Sequence, residues 1–242
     1  YAEYCLTIEV SMLDGTLIAE GTDCEWLTNG DSGGGFDPNS GLVGYWNMDE
    51  PVGSSRFTDS TGNDNEGIIS DGATLGTNAL FGNGLEMHGS PNSAIIDYLD
   101  LEDDSFFTLS MWVNIPSASN DAYIFTIGDT VNEDGALSLR MAGPTSSSTE
   151  GSLSLQQSVV NCCQVILNTY VGPAESFELD YNTWHHLVLV VNDSGTDNHL
   201  AHLYVDGVHR GSGAMPATID GGVKIHLGSA ELGWIYQLPI TD

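Results

Sequence analysis

The hydrophobic period of this chain limits its fold more than any other feature. No segment of ten or more residues carries apolar side chains at i, i+3, i+4 and i+7, the spacing of a helix face. Short alternating runs recur instead, separated roughly every eight to twelve residues by clusters of Gly, Asp, Asn and Ser. Alternation sends successive side chains to opposite sides of an extended segment. Residues 107–115 show it best: Phe107, Leu109, Met111, Val113 and Ile115 alternate with Thr108, Ser110, Trp112 and Asn114. Residues 185–191 are two histidines followed by an unbroken apolar run, as in a strand covered on both faces. About twelve strands are expected between residues 41 and 228, which predicts an all-β sandwich or barrel.

Charge narrows the partners. The 242 residues include 4 Lys and Arg against 34 Asp and Glu, a formal net charge of −30. Phosphate backbones are bound by clustered Lys and Arg. The fixed cations here are Arg56, Arg140, Arg210 and Lys224, so nucleic acid is excluded as a partner. An anionic bilayer surface would repel the chain, and no apolar run approaches the ~18 residues of a membrane span. A 40% hydrophobic share with 9% aromatics is enough for a core, so the acidity does not imply disorder. The chain opens on Tyr1 with neither signal peptide nor initiator Met, as a processed chain or a fragment does. The expected location is extracellular, secreted or at the cell surface.

The first forty residues differ from the rest. Residues 6–12 alternate strictly, with Leu6, Ile8, Val10 and Met12 on the apolar side. Asp14 and Gly15 precede a second apolar stretch, which suggests a hairpin. Residues 28–40 are crowded with Gly, Ser, Asp and Asn and read as a flexible linker. The expected organisation is an N-terminal strand or hairpin arm at 1–27, a linker at 28–40 and a single β domain at 41–242.

Five blocks in that domain carry a family resemblance: GLVGYWNMDE at 41–50 with DSTGNDNEG at 59–67, LFGNGLEMHG at 80–89, FTLSMWV at 107–113, NTWHHLVLV at 182–190 and LYVDG at 203–207. Together they resemble the laminin G-like, concanavalin A-like jelly-roll family, which implies a two-sheet antiparallel jelly-roll sandwich. The resemblance also implies that Trp46, Trp112 and Trp184 are core residues and that His185 and His186 are structural. Such domains serve in lectins, adhesion modules, enzyme appendages and structural parts, so the fold alone does not choose a function.

The family's closing strand is not apparent in the sequence. The chain finishes at Asp242 on a stretch interrupted by Pro239, which cannot donate to a ladder. An edge left open beside residues 42–48 predicts a groove, and the strand at 6–12 predicts a donor for it. The first functional expectation is therefore a secreted, non-catalytic subunit that self-assembles. Leu6, Ile8, Val10 and Met12 of one copy would enter the groove of the next, giving a head-to-tail filament. Four apolar side chains at ~1.5–3 kcal/mol each would supply about 6–12 kcal/mol before ordering costs. The alternative readings of the strand are docking on its own domain or a small separate hairpin. The alternative function is a calcium-assisted carbohydrate-binding or adhesive module of a cell-surface protein.

Other candidates are more local. Asp59, Asn63, Asp64 and Asn65, with Gly62 allowing a tight turn, form a loop rich in the hard oxygen donors that calcium takes; laminin G-like domains often carry the ion. Cys5, Cys24, Cys162 and Cys163 are an even set, as disulfides require. Cys5–Cys24 with a vicinal Cys162–Cys163 bridge is one connectivity, and cross-links between the two pairs are the other. Asn192 opens the one N-x-[ST] sequon, in what reads as a loop between strands. Catalysis is not expected. The nearest likeness to the paired carboxylates of related β-glucanases is Asp97, Asp100 and Glu102, where the 97/100 spacing puts those two on opposite strand faces. Neither G-x-S-x-G nor H-E-x-x-H occurs.

Overall fold

The apolar positions of residues 107–113 all turn one way. In the computed structural model Phe107, Leu109, Met111 and Val113 are buried, while Thr108, Ser110 and Trp112 are half-buried on the other side. The structure describes residues 2–11, 17–27, 42–69, 73–87, 94–99, 107–114, 122–128, 135–142, 152–159, 162–168, 182–193, 199–215, 219, 223–229, 234–236 and 238–241. Among these every regular element is a strand, so no described helix is long and apolar enough to cross a membrane.

The strands are β1 (Ala2–Ser11), β2 (Leu17–Leu27), β3 (Leu42–Trp46), β4 (Arg56–Phe57), β5 (Gly67–Ile69), β6 (Ala73–Asn78) and β7 (Asn83–Met87). There follow β8 (Ala94–Leu99), β9 (Phe107–Asn114), β10 (Ala122–Ile127), β11 (Leu137–Ala142), β12 (Ser152–Val159) and β13 (Cys162–Asn168). The last six are β14 (Trp184–Asp193), β15 (His199–Val205), β16 (Val208–Ala214), β17 (Val223–Ser229), β18 (Trp234–Tyr236) and β19 (Leu238–Thr241).

Contacts divide the chain into two units, Tyr1–Ser40 and Gly41–Asp242. In the first, β1 and β2 form an antiparallel ribbon with Leu6 opposite Asp23, Ile8 opposite Gly21 and Val10 opposite Ala19. Met12 and the linker residues 28–40 lie outside the described residues.

In the second unit one sheet runs β13-β12-β11-β10-β17-β8-β5-β4. The other runs β16-β15-β14-β9-β18-β7-β6, and β19 joins β3 to it at β9. All pairs are antiparallel. Leu109, Leu189 and Leu203 from the second sheet join Ile96, Ile225, Leu139 and Leu155 from the first in one buried apolar cluster. Burying each such side chain favours folding by about 1.5–3 kcal/mol. The domain is an all-β, two-sheet antiparallel sandwich of the jelly-roll kind.

The β15–β16 turn shows local sequence setting topology. Asp206 and Gly207 have φ of 52° and 75°. Two left-handed residues make the tight turn whose twist matches a hairpin, and Asp-Gly is a preferred pair for it.

The edge beside β3 corrects one expectation. Residues 42–48 are predicted to border an open groove, but β19 lies against them, with Leu238 opposite Trp46, Pro239 opposite Tyr45 and Ile240 opposite Gly44. On its other side β19 meets β9, with Ile240 opposite Leu109. The proline is accommodated because Tyr45 uses its backbone elsewhere. Its N–H donates to Asp59 Oδ1 at 3.0 Å, and its carbonyl accepts from Ser60 N at 2.7 Å. A position where the neighbour asks for no hydrogen bond tolerates a residue without a donor.

Close packing in the β4–β5 corner gives a direct test. Gly67 pairs with Phe57, whose ring is fully buried, and a Cβ on Gly67 would enter that ring. Gly67→Ala should therefore lower stability by about 1–3 kcal/mol in urea unfolding, the usual cost of overpacking. An unchanged midpoint would show that Phe57 can turn aside.

Candidate functional site

Apart from Phe107 and His185, the inward positions of β9, β14 and β15 are aliphatic or Met, and most of their rings stand on the outer face. Leu187, Leu189 and Val191 of β14 are buried, as are Ala201, Leu203 and Val205 of β15. The intervening residues Trp184, His186, Val188, His202 and Tyr204 are half-buried and face away from the core. Strand pairing assembles these into rows. His186 lies opposite Trp112, and Tyr236 of β18 occupies the backbone position opposite Trp112 on its other side. Trp184 and, from β18, Trp234 both lie opposite Asn114. Val188 lies between Ser110 and Tyr204, and Tyr204 is opposite His209.

Trp112 and His186 stack, with ring centroids 5.0 Å apart and planes inclined by 26°. Ser110 Oγ is 2.8 Å from His186 Nε2 and fixes the imidazole in that stack. Burial holds the His186 pKa below the ordinary imidazole value, and the nearby Asp206 charge opposes this only in part. Tyr204 and His209 have centroids 5.0 Å apart, inclined by 49°.

This arrangement corrects the family-based placement of the tryptophans. Trp46 is in the core, fully buried, with its Nε1–H donating to the Asn65 carbonyl at 2.6 Å. Trp112 and Trp184 stand on the outer face instead, because β9 and β14 spend their inward positions on Leu, Met and Val. The alternation at 107–115 carries that signal already.

His185 faces the other way and is a structural clamp. Its buried ring donates from Nδ1 to Asp206 Oδ2 at 2.7 Å, and the His186 backbone N–H donates to Asp206 Oδ1 at 2.8 Å. These bonds tie the β15–β16 turn to the start of β14.

The acidic loop at 59–65 serves β3. Asp59, only 6% exposed, accepts at Oδ1 from the N–H of Tyr45 and from both the N–H and hydroxyl of Thr61, and at Oδ2 from Asn65 N–H. Asn63 Nδ2 donates to the carbonyls of Leu42 and Val43, each at 3.1 Å, and Asn65 Nδ2 donates to Val43 at 2.8 Å. Asp64 is exposed in the left-handed conformation, φ 61°. The Asp59 carboxylate and the Asn63 and Asn65 amides thus hydrogen-bond to the backbone of β3.

The remaining sequence candidates are dispersed. Leu6, Ile8 and Val10 are in β1, already paired with β2. Cys5 lies directly opposite Cys24 in that ribbon. Cys162 and Cys163 open β13, opposite Val159 and Ser158. Asn192 belongs to strand β14 rather than to a loop, opposite Leu200, with its Oδ1 enclosed. Asp97 is exposed and paired with Lys224 at 3.2 Å, while Asp100 and Glu102 lie outside the described residues.

The comparisons with known proteins agree on the fold. Residues 89–234 match the laminin G-like family described as the concanavalin A-like lectin/glucanases superfamily. The chain belongs to that superfamily. No curated protein matches its sequence. Among solved structures it is similar to the binding domain of botulinum neurotoxin DC in complex with SialylT, at 14% identity and a TM-score of 0.58, over 84% of this chain and 48% of that one. The same binding domain in complex with rat synaptotagmin II matches at 14% identity and a TM-score of 0.57, over 85% and 49%. A botulinum neurotoxin type C structure, titled for cell entry dependent upon interaction with two ganglioside molecules, matches at 14% and 0.56, over 84% and 48%. The chain spans about half the length of these structures, and at this identity the likeness concerns fold.

The clamp predicts a pH response. Burial raises the Asp206 pKa, but the hydrogen bond from His185, the one from His186 N–H and the two nearby imidazoles more than offset it, so the carboxyl titrates below its ordinary value of 3.8. A depressed carboxylate stabilises the fold fully above that ordinary value and stops doing so as pH falls through the lower folded one. Asn also tolerates the left-handed backbone at this position. Asp206→Asn should cost about 1 kcal/mol at pH 7, a figure already reduced for the solvent reaching this half-exposed side chain. The deficit should shrink below pH 3.8 in urea titrations; a deficit independent of pH would refute an electrostatic clamp.

Proposed function

We propose that this domain is a non-catalytic extracellular module that binds neutral glycans on the outer face of the β9–β14–β15 sheet. The observation carrying the proposal is the outward stack of Trp112 on His186, held by Ser110. Aromatic faces on a rigid sheet offer flat apolar surface to the C–H side of a sugar ring, and the neighbouring polar tips offer hydrogen bonds to its hydroxyls. Rings fixed by strands lose little conformational freedom on binding. The neighbouring toxin domains are titled for sialylated and ganglioside ligands, but a net charge of −30 repels anionic sugars. That favours uncharged ones here.

The same face is unsuited to acyl transfer or hydrolysis. Ser110 and His186 resemble a nucleophile with its base. However, backbone N–H groups within a sheet lie in its plane, directed at adjacent strands. None is aimed at the position an oxyanion on the face would take.

Calcium assistance belongs to the original expectation for Asp59, Asn63, Asp64 and Asn65. In that loop the Asp59 carboxylate already accepts hydrogen bonds from the backbone of Tyr45, Thr61 and Asn65. Titration calorimetry against neutral oligosaccharides, chosen from a glycan array, tests both points. Trp112→Ala should weaken binding by about tenfold in a variant whose circular dichroism shows the sheet retained, since a stacked ring is worth roughly 0.5–1.5 kcal/mol beyond its area. Affinity should be the same in EDTA as in calcium. An array without hits, or an unaffected Trp112→Ala variant, overturns the reading; loss of affinity in EDTA restores the ion to it.

A second reading, assembly into a filament, is supported by the β1–β2 ribbon. Two strands alone are marginal in water, and Leu6, Ile8 and Val10 occupy alternate backbone positions of β1. This ribbon would dock on another copy as a pair of strands rather than as one inserted strand, because β19 already lies along β3. Size exclusion should then show large assemblies for the full chain and monomers for a chain beginning at Gly41. Matching monomeric profiles count against it.

A further inference from the structure

The ring-bearing face has an outer margin at β15 and β16 whose chemistry differs from the Trp112 stack. The register of this pair is interrupted: Leu203 lies opposite Gly211, but Tyr204 lies opposite His209, so Arg210 is the extra residue of a β-bulge. Bulges bend a strand and re-aim side chains, often beside functional sites. Here the result is that His209 approaches two rings of β15, Tyr204 and His202. The His202 and His209 centroids are 5.8 Å apart, with planes inclined by 43°. His209 is exposed, whereas His202 is half-buried, and its Nε2 is covered yet has no hydrogen-bond partner. An enclosed ring nitrogen without a partner carries a free-energy cost that a ligand can remove.

We infer that His202 and His209 form a two-histidine site for a divalent transition-metal ion of the zinc, copper or nickel class. Imidazole nitrogen is a borderline ligand that suits these ions, whereas calcium and magnesium take oxygen. Nitrogens bonded to one ion at about 2.0–2.1 Å lie roughly 3–4 Å apart, which rings at this separation reach by side-chain rotation alone. The two histidines sit on adjacent antiparallel strands, so their backbone spacing is fixed before the ion arrives and little ordering cost remains. Among the described residues there is no group of three or more His, Cys, Asp or Glu at such a point. The ion therefore keeps open positions, filled by water or by a ligand of its own. The strongly acidic chain raises the local concentration of divalent cations. This site stands apart from the Trp112–His186 stack and does not depend on the glycan reading.

The test uses the full chain and the metal salts alone. Zinc and copper chloride titrations by calorimetry should give one binding event per chain that His209→Ala weakens by about tenfold or more, as loss of one of two ligands would. His209→Gln should behave likewise, and His202→Ala should abolish the event. His209 is exposed, so its variants should melt at the wild-type temperature without metal. The copper-loaded protein should show two imidazole nitrogens in its electron paramagnetic resonance spectrum, and the His209 variants one. Equal zinc and copper affinities in wild type and His209 variants, or a copper spectrum unchanged by the substitution, overturns the site. Calcium chloride should show no difference between these proteins.

Discussion

The register of β14 on β9 decides what the domain can present to a partner. Leu187 against Met111 and Leu189 against Leu109 commit one face to the core, and everything between them is committed to the other. A slip of β14 by one residue would exchange its two faces, burying His186 and exposing Leu187 and Leu189. The apolar pairs thus do two things. They hold the sandwich together, and they fix the spacing of the rings outside it. His185 and His186 illustrate the division within one dipeptide: the first ring goes inward to Asp206, the second outward to Trp112 and Ser110.

Much of this was legible in the chain itself. Period-two alternation and the ordered family blocks from 41 to 228 lead to an antiparallel jelly roll, the first because it is a local signal with a local cause. The outer rings were legible too, since Trp112 alternates with Leu109, Met111 and Val113 in plain sight. The family resemblance pulled the tryptophans inward, and for Trp112 and Trp184 the alternation is the better guide. What local reading misses is pairing at a distance. Pro239 looks like the end of any strand until Tyr45 is seen to spend its backbone groups on Asp59 and Ser60. Asp59, Asn63 and Asn65 have the composition of a cation loop, and only their position beside β3 reveals that they act as donors and acceptors for a strand edge. The bulge at Arg210 is equally silent in sequence, because it exists only as a mismatch between two strands.

The loop at 59–65 and β19 solve the same problem from opposite sides. A strand with unpaired backbone groups is a template for other chains. Side-chain amides and a carboxylate answer those groups on one side of β3, and the C-terminal strand answers them on the other. The domain thereby keeps its aromatic face available while removing an edge that would otherwise recruit neighbours without selectivity.

That last pairing also sets a timetable for folding. Leu42 meets Thr241 across the β3–β19 ladder, so the first strand of the jelly roll pairs with a strand at the far end of its own domain. Contacts between such distant residues form slowly. Until then β3 is covered on one flank only, by the Asp59–Asn65 loop that follows it within a few tens of residues. The loop is close to β3 in sequence and can cover it early, whereas β19 reaches it only after the intervening strands are made.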